Sequence, residues 1–280
     1  MSPASADSDT IRAPLPDLAA WTARLHAAET PVLAETAEAL EVLRRNADDV
    51  DANGIGETIA ADPLMTLKVL AYASEHRSAR AVTGSETVIA ALVMLGISPF
   101  FAAFGPQPTV EARLADRPDA LLGLRKVLAR AHRGANFALA FAVHRCDPHA
   151  AVIHAATLLH EFAEMLLWCH APELSLQIAE AQRRNPSLRS HAIQLRVLNV
   201  TVADLQRSLM QSWQLPSLLS QVADEAHRET TAVRTVELAA RLARHTATGW
   251  DNPALGDDIA DVARLLNVST TAALQLVRTI

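Results

Sequence analysis

The sequence is poor in glycine, in aromatic residues and in cysteine. Nine glycines and 4% aromatic residues among 280 positions leave alanine and leucine to dominate the chain, and both favour helices. Cys146 and Cys169 are too few for a disulfide framework and lack the C-x-x-C spacing of many metal and redox sites. We interpret them as free, buried thiols in a reducing compartment.

The sequence also lacks an excess of basic residues. It has 25 Lys and Arg against 31 Asp and Glu, a net charge of −6, and its basic residues cluster only in pairs such as Arg44 with Arg45. Nucleic-acid binders usually carry a basic stripe, whereas such pairs are typical of solvated helix faces. We therefore expect no direct binding to nucleic acid.

No segment predicts a signal peptide or a membrane span. Residues 1–17 combine Ser, Asp, Ala and Pro without a basic region or an apolar core, and they predict a disordered leader. Residues 88–104 are uncharged, but Gly96, Ser98 and Pro99 interrupt them. They predict two buried helices, the first closed by Gly96 and the second capped by Ser98. We expect a soluble, cytoplasmic protein.

What the sequence does contain is helical periodicity from Trp21 onward. Leu33, Ala37, Leu40 and Leu43 recur at steps of four, three and three, which gives one apolar stripe facing a core. No convincing β alternation and no repeat of fixed period is present. We predict an all-α fold, a compact multi-helix bundle.

Two helix starts are marked by an acidic residue before a proline. Asp62 with Pro63 predicts one start, because the carboxylate can accept the free N–H groups and proline suits the first turn. Asp147 with Pro148 repeats this arrangement before a helix predicted near 149–163.

Two further helix starts have alternative caps. Thr83 and Glu86 have the spacing of a capping box, and Ser85 is the alternative cap. Near the C terminus, either Asp257 or Asp258 is predicted to cap the helix that follows a turn-rich connection.

The proline-rich stretch 104–119 predicts a boundary between two helical subdomains. We assign an N-terminal helical subdomain to 18–110 and a helical core to 118–230. Residues 231–280 are predicted to form C-terminal helices that pack on the same module.

The main chemical candidates lie in LLHEFAEMLL, residues 158–167. His160 and Glu164 stand four apart, so on one helix they would share a face and could supply two ligands to Zn, Mn or Fe. Glu161, which directly follows the histidine, is a third candidate.

A hydrolytic metal site needs three or four ligands and an open position for water. His132 and His154 are candidates for the missing ligands. In the alternative interpretation, His160 makes a structural hydrogen bond near a helix end while Glu161 and Glu164 face water. The residues favour this structural interpretation but leave both open.

Other catalytic patterns are weaker. The sequence has no G-x-S-x-G elbow, Walker-type loop or G-x-G-x-x-G motif. Cys146 has His144 and His149 nearby, but a structural cysteine explains it better than a catalytic dyad.

The order of two motifs resembles the bacterial HDOD family, the "HD-related output domain". That family shows an acidic residue and a proline at a helix start, and a helix that ends near Asn-Ser. Here Asp62 and Pro63 match the first feature, and Ala73 with Ser74 stands where Asn-Ser is usual.

The family's next motif is Ser-x-x-x-Ala-Ile-x-x-Leu-Gly. Ala91, Leu95 and Gly96 match it, whereas Thr87 stands for the serine and Leu92 for the isoleucine.

The segment 128–167 resembles the family's degenerate phosphohydrolase core. His132 falls near the first histidine of the related enzymes, and His160 with Glu161 falls on their His-Asp pair. The resemblance covers roughly residues 30–230.

Three departures from the related enzymes bear on activity. Glu161 replaces an aspartate and adds a methylene, although metal–ligand distances tolerate only about 0.2 Å. Ala163 stands where the enzymes carry a glycine. Val202 and Ala203 stand where a later histidine is expected, and Asp204 is displaced from that place.

The resemblance implies a non-catalytic bacterial signal-transduction module that binds another protein, with no catalytic residue and no cofactor. No metal is expected, and the weak vestigial candidates for one are His132, His160 and Glu161. The alternatives are a metal-dependent phosphohydrolase of nucleotides or signalling nucleotides that uses these three ligands, or a sensor that binds a small ligand in the vestigial pocket.

HDOD domains are often attached to response-regulator or cyclic-dinucleotide domains, and we expect this chain to be a free-standing member. Its partner would be a signalling protein, with no role for nucleic acid or a membrane. The sequence leaves self-association into a homo-oligomer open.

Overall fold

The structure, a computed structural model, describes residues 10–76, 86–185, 189–222, 225–227 and 229–280. Within these ranges the chain is helical and contains no strand, which confirms the predicted all-α class. The extended backbone is limited there to a single β-bridge between Val32 and Thr109.

The described α-helices are numbered in chain order. They are α1 (Leu18–Ala27), α2 (Ala34–Arg45), α3 (Ala52–Ala60), α4 (Pro63–Glu75), α5 (Val88–Leu95), α6 (Ile97–Ala103), α7 (Val110–Arg113), α8 (Pro118–His144), α9 (Ala150–Leu158), α10 (Phe162–His170), α11 (Pro172–Arg184), α12 (Ser190–Leu198), α13 (Val202–Ser212), α14 (Ser217–Val222), α15 (Thr231–His245), α16 (Leu255–Leu266) and α17 (Thr270–Thr279). Short 3-10 turns occur at Ala47–Asp49 and Glu225–His227.

The chain forms two compact units that are discontinuous in sequence. The first contains the described residues up to Val127 together with Glu161–Leu215, and the second contains Leu128–His160 together with Pro216–Ile280. This division has different bounds from the linear division into 18–110, 118–230 and 231–280. The long helix α8 contributes residues to both units.

In the first unit, α1 packs on α13, and α4 packs on α3, α5 and α10. Trp21 of α1 is fully buried, and its indole Nε1 donates a hydrogen bond of 2.8 Å to the carbonyl oxygen of Leu198. This bond satisfies the polar atom that a buried tryptophan brings into the core.

Asp62 caps α4 as predicted, with Pro63 in the first turn. Its Oδ1 accepts hydrogen bonds from the amides of Leu64 at 2.8 Å and Met65 at 3.2 Å. Its Oδ2 accepts a third bond, of 2.7 Å, from the amide of Leu33. Burial raises the pKa of Asp62, although these hydrogen bonds oppose that change. One buried carboxylate thus joins the start of α4 to the segment before α2.

The two helices predicted on either side of Gly96 are present. Gly96 ends α5 with φ of +85°, a conformation that suits glycine, and α6 follows immediately. The predicted cap Ser98 is wrong, because Ser98 lies inside α6, whose N-cap position is Gly96.

The cap of α5 is Thr87, whose hydroxyl accepts from the amide of Ala90 at 3.3 Å. Of the predicted alternatives, Thr83 and Ser85 lie outside the described residues. Thr87 has the hydroxyl that a cap requires and stands one residue before the helix.

The predicted leader lies partly outside the described residues, which begin at position 10. Within the described part, Ile11 is buried and its amide donates a 2.7 Å hydrogen bond to the carbonyl of His170. Asp17 caps α1 by accepting from the amide of Ala20 at 2.8 Å. Residues 10–17 are therefore ordered against the first unit.

In the second unit, α15 packs on α9, α14 and α16, and α16 packs on α17. Gly134 of α8 faces this core, where a Cβ atom would lie 3.4 Å from Thr157 and 3.5 Å from Ala243. These are ordinary to close contacts, so the backbone of α8 lies near both neighbours.

The predicted capping role of Asp257 or Asp258 is wrong. Both lie in the first turn of α16, after the N-cap residue Ala254. Asp258 is instead buried and paired with Arg241 at 2.8 Å and with His245 at 2.6 Å. The helix start could not reveal these partners, because they belong to α15.

Asp147 accepts from the amide of His149 at 2.9 Å, one residue before α9 begins at Ala150. Asp147 and Pro148 therefore form a turn that leads into α9. This helix is shorter than predicted and ends at Leu158.

The two cysteines have different environments, which corrects the expectation of two buried thiols. Cys169 is buried, and burial raises its pKa to about 12. Cys146 is exposed and has φ of +54° just beyond the end of α8.

One described segment, 150–170, is long and apolar enough by composition to cross a bilayer. It consists of α9 and α10, which a turn separates, and 56% of its most apolar window is buried inside the fold. These are features of core helices in a soluble protein.

Candidate functional site

His160 and Glu161 lie in the turn between α9 and α10. The amide of His160 donates to Thr157 O at 3.1 Å, and the amide of Glu164 donates to Glu161 O at 3.1 Å. Both side chains are half-buried. The helix predicted through this motif is therefore broken at the motif itself.

This break corrects the prediction that His160 and Glu164 share one helix face. The 3.6-residue period that aligns positions i and i+4 applies only within a continuous helix. His160 lies after the last residue of α9, and Glu164 lies in the first turn of α10. No glycine or proline marks the break in the sequence, which explains why periodicity missed it.

His132 and His154 both lie in the second unit, on α8 and α9 respectively. Burial lowers the pKa of His154, and the charge of His132 lowers it further. The role of His132 and His154 as further ligands beside His160 remains a sequence prediction. Mutual repulsion opposes charging both imidazoles together.

We expect the stability of the protein to fall as pH decreases below about 6.5, partly because of His154. Its folded pKa is lowered, so the unfolded chain takes up a proton in this range before the folded protein does. The variant His154→Gln should show a flatter decrease. Urea unfolding at pH 7.5, 6.5 and 5.5 measures the difference.

Replacement of the exposed His191 by glutamine is the matched control, and it should leave the pH dependence unchanged. A wild-type slope in the His154→Gln variant would contradict the assignment of this effect to the buried imidazole.

Across the part of the chain that the structure describes, no three or more His, Cys, Asp or Glu side chains are arranged to hold a metal ion. The geometry therefore gives no ligand set that fits the metal of the related hydrolases. The metal candidates His132, His160 and Glu161 remain a sequence prediction, and no catalytic step follows from their positions.

The region expected to carry a later ligand is used for helix capping. Thr201 caps α13 by accepting from the amide of Asp204 at 3.0 Å, and its hydroxyl donates to the Asp204 carboxylate at 2.7 Å. Asp204 also pairs with Arg207 at 3.0 Å. The Asp204 carboxylate thus supports the capping residue Thr201, and Val202 and Ala203 offer no ligand atom in their side chains.

The basic pairs behave as solvated helix faces. Arg44 and Arg45 both pair with Glu41 on α2, and Arg183 and Arg184 both pair with Glu180 on α11. The side chains of the second pair are 79% and 78% exposed. Each pair shares one glutamate on its own helix, which offsets one of its two positive charges, so the pairs form no extended basic stripe.

One cluster of charged residues in the second unit is not predicted by any sequence pattern. Arg133 of α8 and Arg278 of α17 both lie against the ring of Trp250, which precedes α16. These residues are far apart in the sequence and share no motif, so no local pattern could have joined them. His132 lines the same pocket.

The fold and the degenerate motif define an all-helical, HD-related domain of the signal-transduction type. Its His-Glu pair lies in a turn, and a helix cap occupies the region of the later ligand. The chain belongs to the HDOD domain family, whose sequence profile matches residues 30–229.

Solved structures share this fold. The response regulator MmoQ from Methylococcus capsulatus has a TM-score of 0.64 at 18% identity, with 90% of this chain and 98% of that chain covered. A virulence factor from Campylobacter jejuni has a TM-score of 0.65 at 13% identity, with 93% and 97% covered. No curated protein matches the sequence.

Proposed function

We propose that this protein is a non-catalytic signal-transduction module of the bacterial cytoplasm that acts by binding another protein. Membership of the HDOD family supports the signalling role. The observation that supports the absence of catalysis is the helix break at His160 and Glu161. Because of this break, His160 and Glu164 do not lie on one helix face as two ligands to a metal would. A hydrolytic metal needs several converging ligands.

The experiment is a metal analysis of protein purified without chelator and then incubated with Mn, Fe or Zn. We expect far less than one ion per chain after removal of free metal, and no hydrolysis of phosphodiester or nucleotide substrates. The variant His160→Ala should equal the wild type in both measurements. Stoichiometric metal that is lost in His160→Ala, together with hydrolysis, would establish the phosphohydrolase alternative.

The surface that best supports a role in protein binding is the exposed face of α5. Ile89, Val93 and Met94 are 39%, 70% and 41% exposed there, and the first two stand one helical turn apart. Gly56 of α3 provides room for Ile89, because a Cβ atom on Gly56 would lie 2.6 Å from Ile89 Cγ1. The helix is thus seated on α3 and presents an apolar ridge suited to the apolar face of a partner helix.

The variant Val93→Glu tests this surface. Crosslinking in cells should capture a specific protein with the wild-type chain, and binding of that purified protein should weaken by roughly tenfold or more in Val93→Glu. Val42→Glu is the matched control, since Val42 is also exposed, at 56%, but lies on α2. Equal binding by both variants would exclude the α5 face.

A further inference from the structure

The pocket beside α8 in the second unit has an unusual electrostatic composition. It has a volume of about 410 Å³, and its polar lining consists of His132, Arg133, Asn136 and Arg278, with Trp250 near both arginines. None of its described lining residues has a side-chain carboxylate. The charged side chains that line it are therefore the guanidinium groups of Arg133 and Arg278. Its remaining lining residues are Ala129, Val277 and the last residue, Ile280.

The two arginines are held in place by an aromatic ring. The guanidinium carbon of Arg133 lies 5.5 Å from the centroid of Trp250, and that of Arg278 lies 5.6 Å from it. The two carbons are thus within about 11 Å of each other. Arg133 also lies 5.5 Å from the ring of Phe137. Cation–π contacts orient guanidinium groups without using their N–H donors.

The N–H donors of these two guanidinium groups have no acceptor among the described residues. Among the described residues, neither Arg133 nor Arg278 forms an ion pair or a hydrogen bond, and Arg133 Nε is buried. A buried donor without an acceptor carries a desolvation cost that a bound acceptor would remove. By contrast, Arg241 and Arg264 in the same unit both pair with Asp261.

We propose that this pocket binds the phosphate group of a small phosphorylated molecule. Two guanidinium groups supply two positive charges and planar donor forks, which match a dianionic phosphate better than a single carboxylate. Asn136 is exposed at the rim and adds an amide donor. The volume exceeds that of a phosphate ion and falls within the range of small-molecule sites.

This site is separate from the surface proposed for protein binding on α5, and its test is independent of that proposal. A ligand here would contact α8, α17 and the segment before α16, which are joined in one unit. Binding would stabilise the folded second unit in proportion to ligand concentration.

The test is a calorimetric titration of the full chain with inorganic phosphate and with ribose 5-phosphate at constant ionic strength. We expect saturable binding that weakens as salt increases, because the contacts are ionic. Arg133→Gln and Arg278→Gln should each reduce the affinity at least tenfold. Arg133→Lys should also reduce it, since lysine keeps the charge but loses the planar fork.

Arg234→Gln is the matched control, because Arg234 is exposed in the same unit and does not line the pocket. It should bind as the wild type does, and circular dichroism should show all variants folded. Tighter binding of ribose 5-phosphate than of phosphate would identify a phosphorylated organic molecule as the ligand. Equal affinities would identify the phosphate group alone, and both results support the site.

The proposal is overturned if phosphate binds no better than chloride at equal ionic strength. It is overturned equally if Arg133→Gln and Arg278→Gln keep the wild-type affinity. Neither result bears on the metal content or on the α5 surface, so failure here is distinguishable from failure of the proposed function.

Discussion

Replacing Asp62 with alanine is expected to lower the free energy of unfolding by about 3 kcal/mol. The substitution removes the cap of α4, which is worth about 1 kcal/mol, and leaves the amide of Leu33 without its acceptor, at a cost of about 1–3 kcal/mol. Asp62 is fully buried, so water does not replace the lost bonds. Urea unfolding monitored by circular dichroism measures the change.

Asp62→Asn separates the two contributions. Asparagine can still accept from the amides of Leu64 and Met65, but its NH₂ group would face the donor at Leu33. We expect a loss between those of the wild type and Asp62→Ala. If Asp62→Ala lowers the free energy of unfolding by only about 1 kcal/mol, as the loss of an exposed helix cap does, the hydrogen bond to Leu33 contributes nothing.

Replacing Gly123 with alanine is expected to destabilise the protein by about 2 kcal/mol, although alanine is normally the better helix residue. A Cβ atom at this position of α8 would lie 2.4 to 2.7 Å from three ring atoms of Trp168. The indole is rigid and only 6% exposed, so it cannot move aside without disturbing the core of the first unit. A thermal melt should show a decrease of about 4–8 °C.

Gly54→Ala is the matched control in a helix of the same unit. Its Cβ would have no neighbour closer than 3.6 Å, so the substitution should be neutral or slightly stabilising. In a Trp168→Leu background, Gly123→Ala should cost less, because the ring that it meets is gone. An unchanged cost in that double-mutant cycle would exclude the indole as the cause.

Local signals in the sequence predicted much of the fold. Asp62 with Pro63 and the glycine at position 96 were assigned correctly, because capping and helix termination depend on residues within about four positions. The same local rules failed at Ser98, which lies inside α6 two residues after its N-cap position Gly96. They also failed at Asp258, whose carboxylate forms a buried ion pair with α15.

The candidate site was predicted less well than the fold. The sequence predicts His132 and His154 as candidate ligands, and both lie in the second unit. The spacing of His160 and Glu164 predicts that they share a helix face, but in the structure they lie on either side of a helix start. Apolar residues continue across the motif without interruption, so periodicity cannot distinguish one long helix from two shorter ones.

By itself, the sequence determined the helical class, the capped start at Asp62 and the family, because these depend on composition and on short-range patterns. Only the tertiary structure decided that α9 packs on α15 and that α10 packs on α13. It also decided that the chain forms two helices here, with His160 in the turn between them. It also decided that Arg133 and Arg278 meet at Trp250. These features depend on contacts between segments distant in the chain, and one-dimensional patterns do not encode those distances.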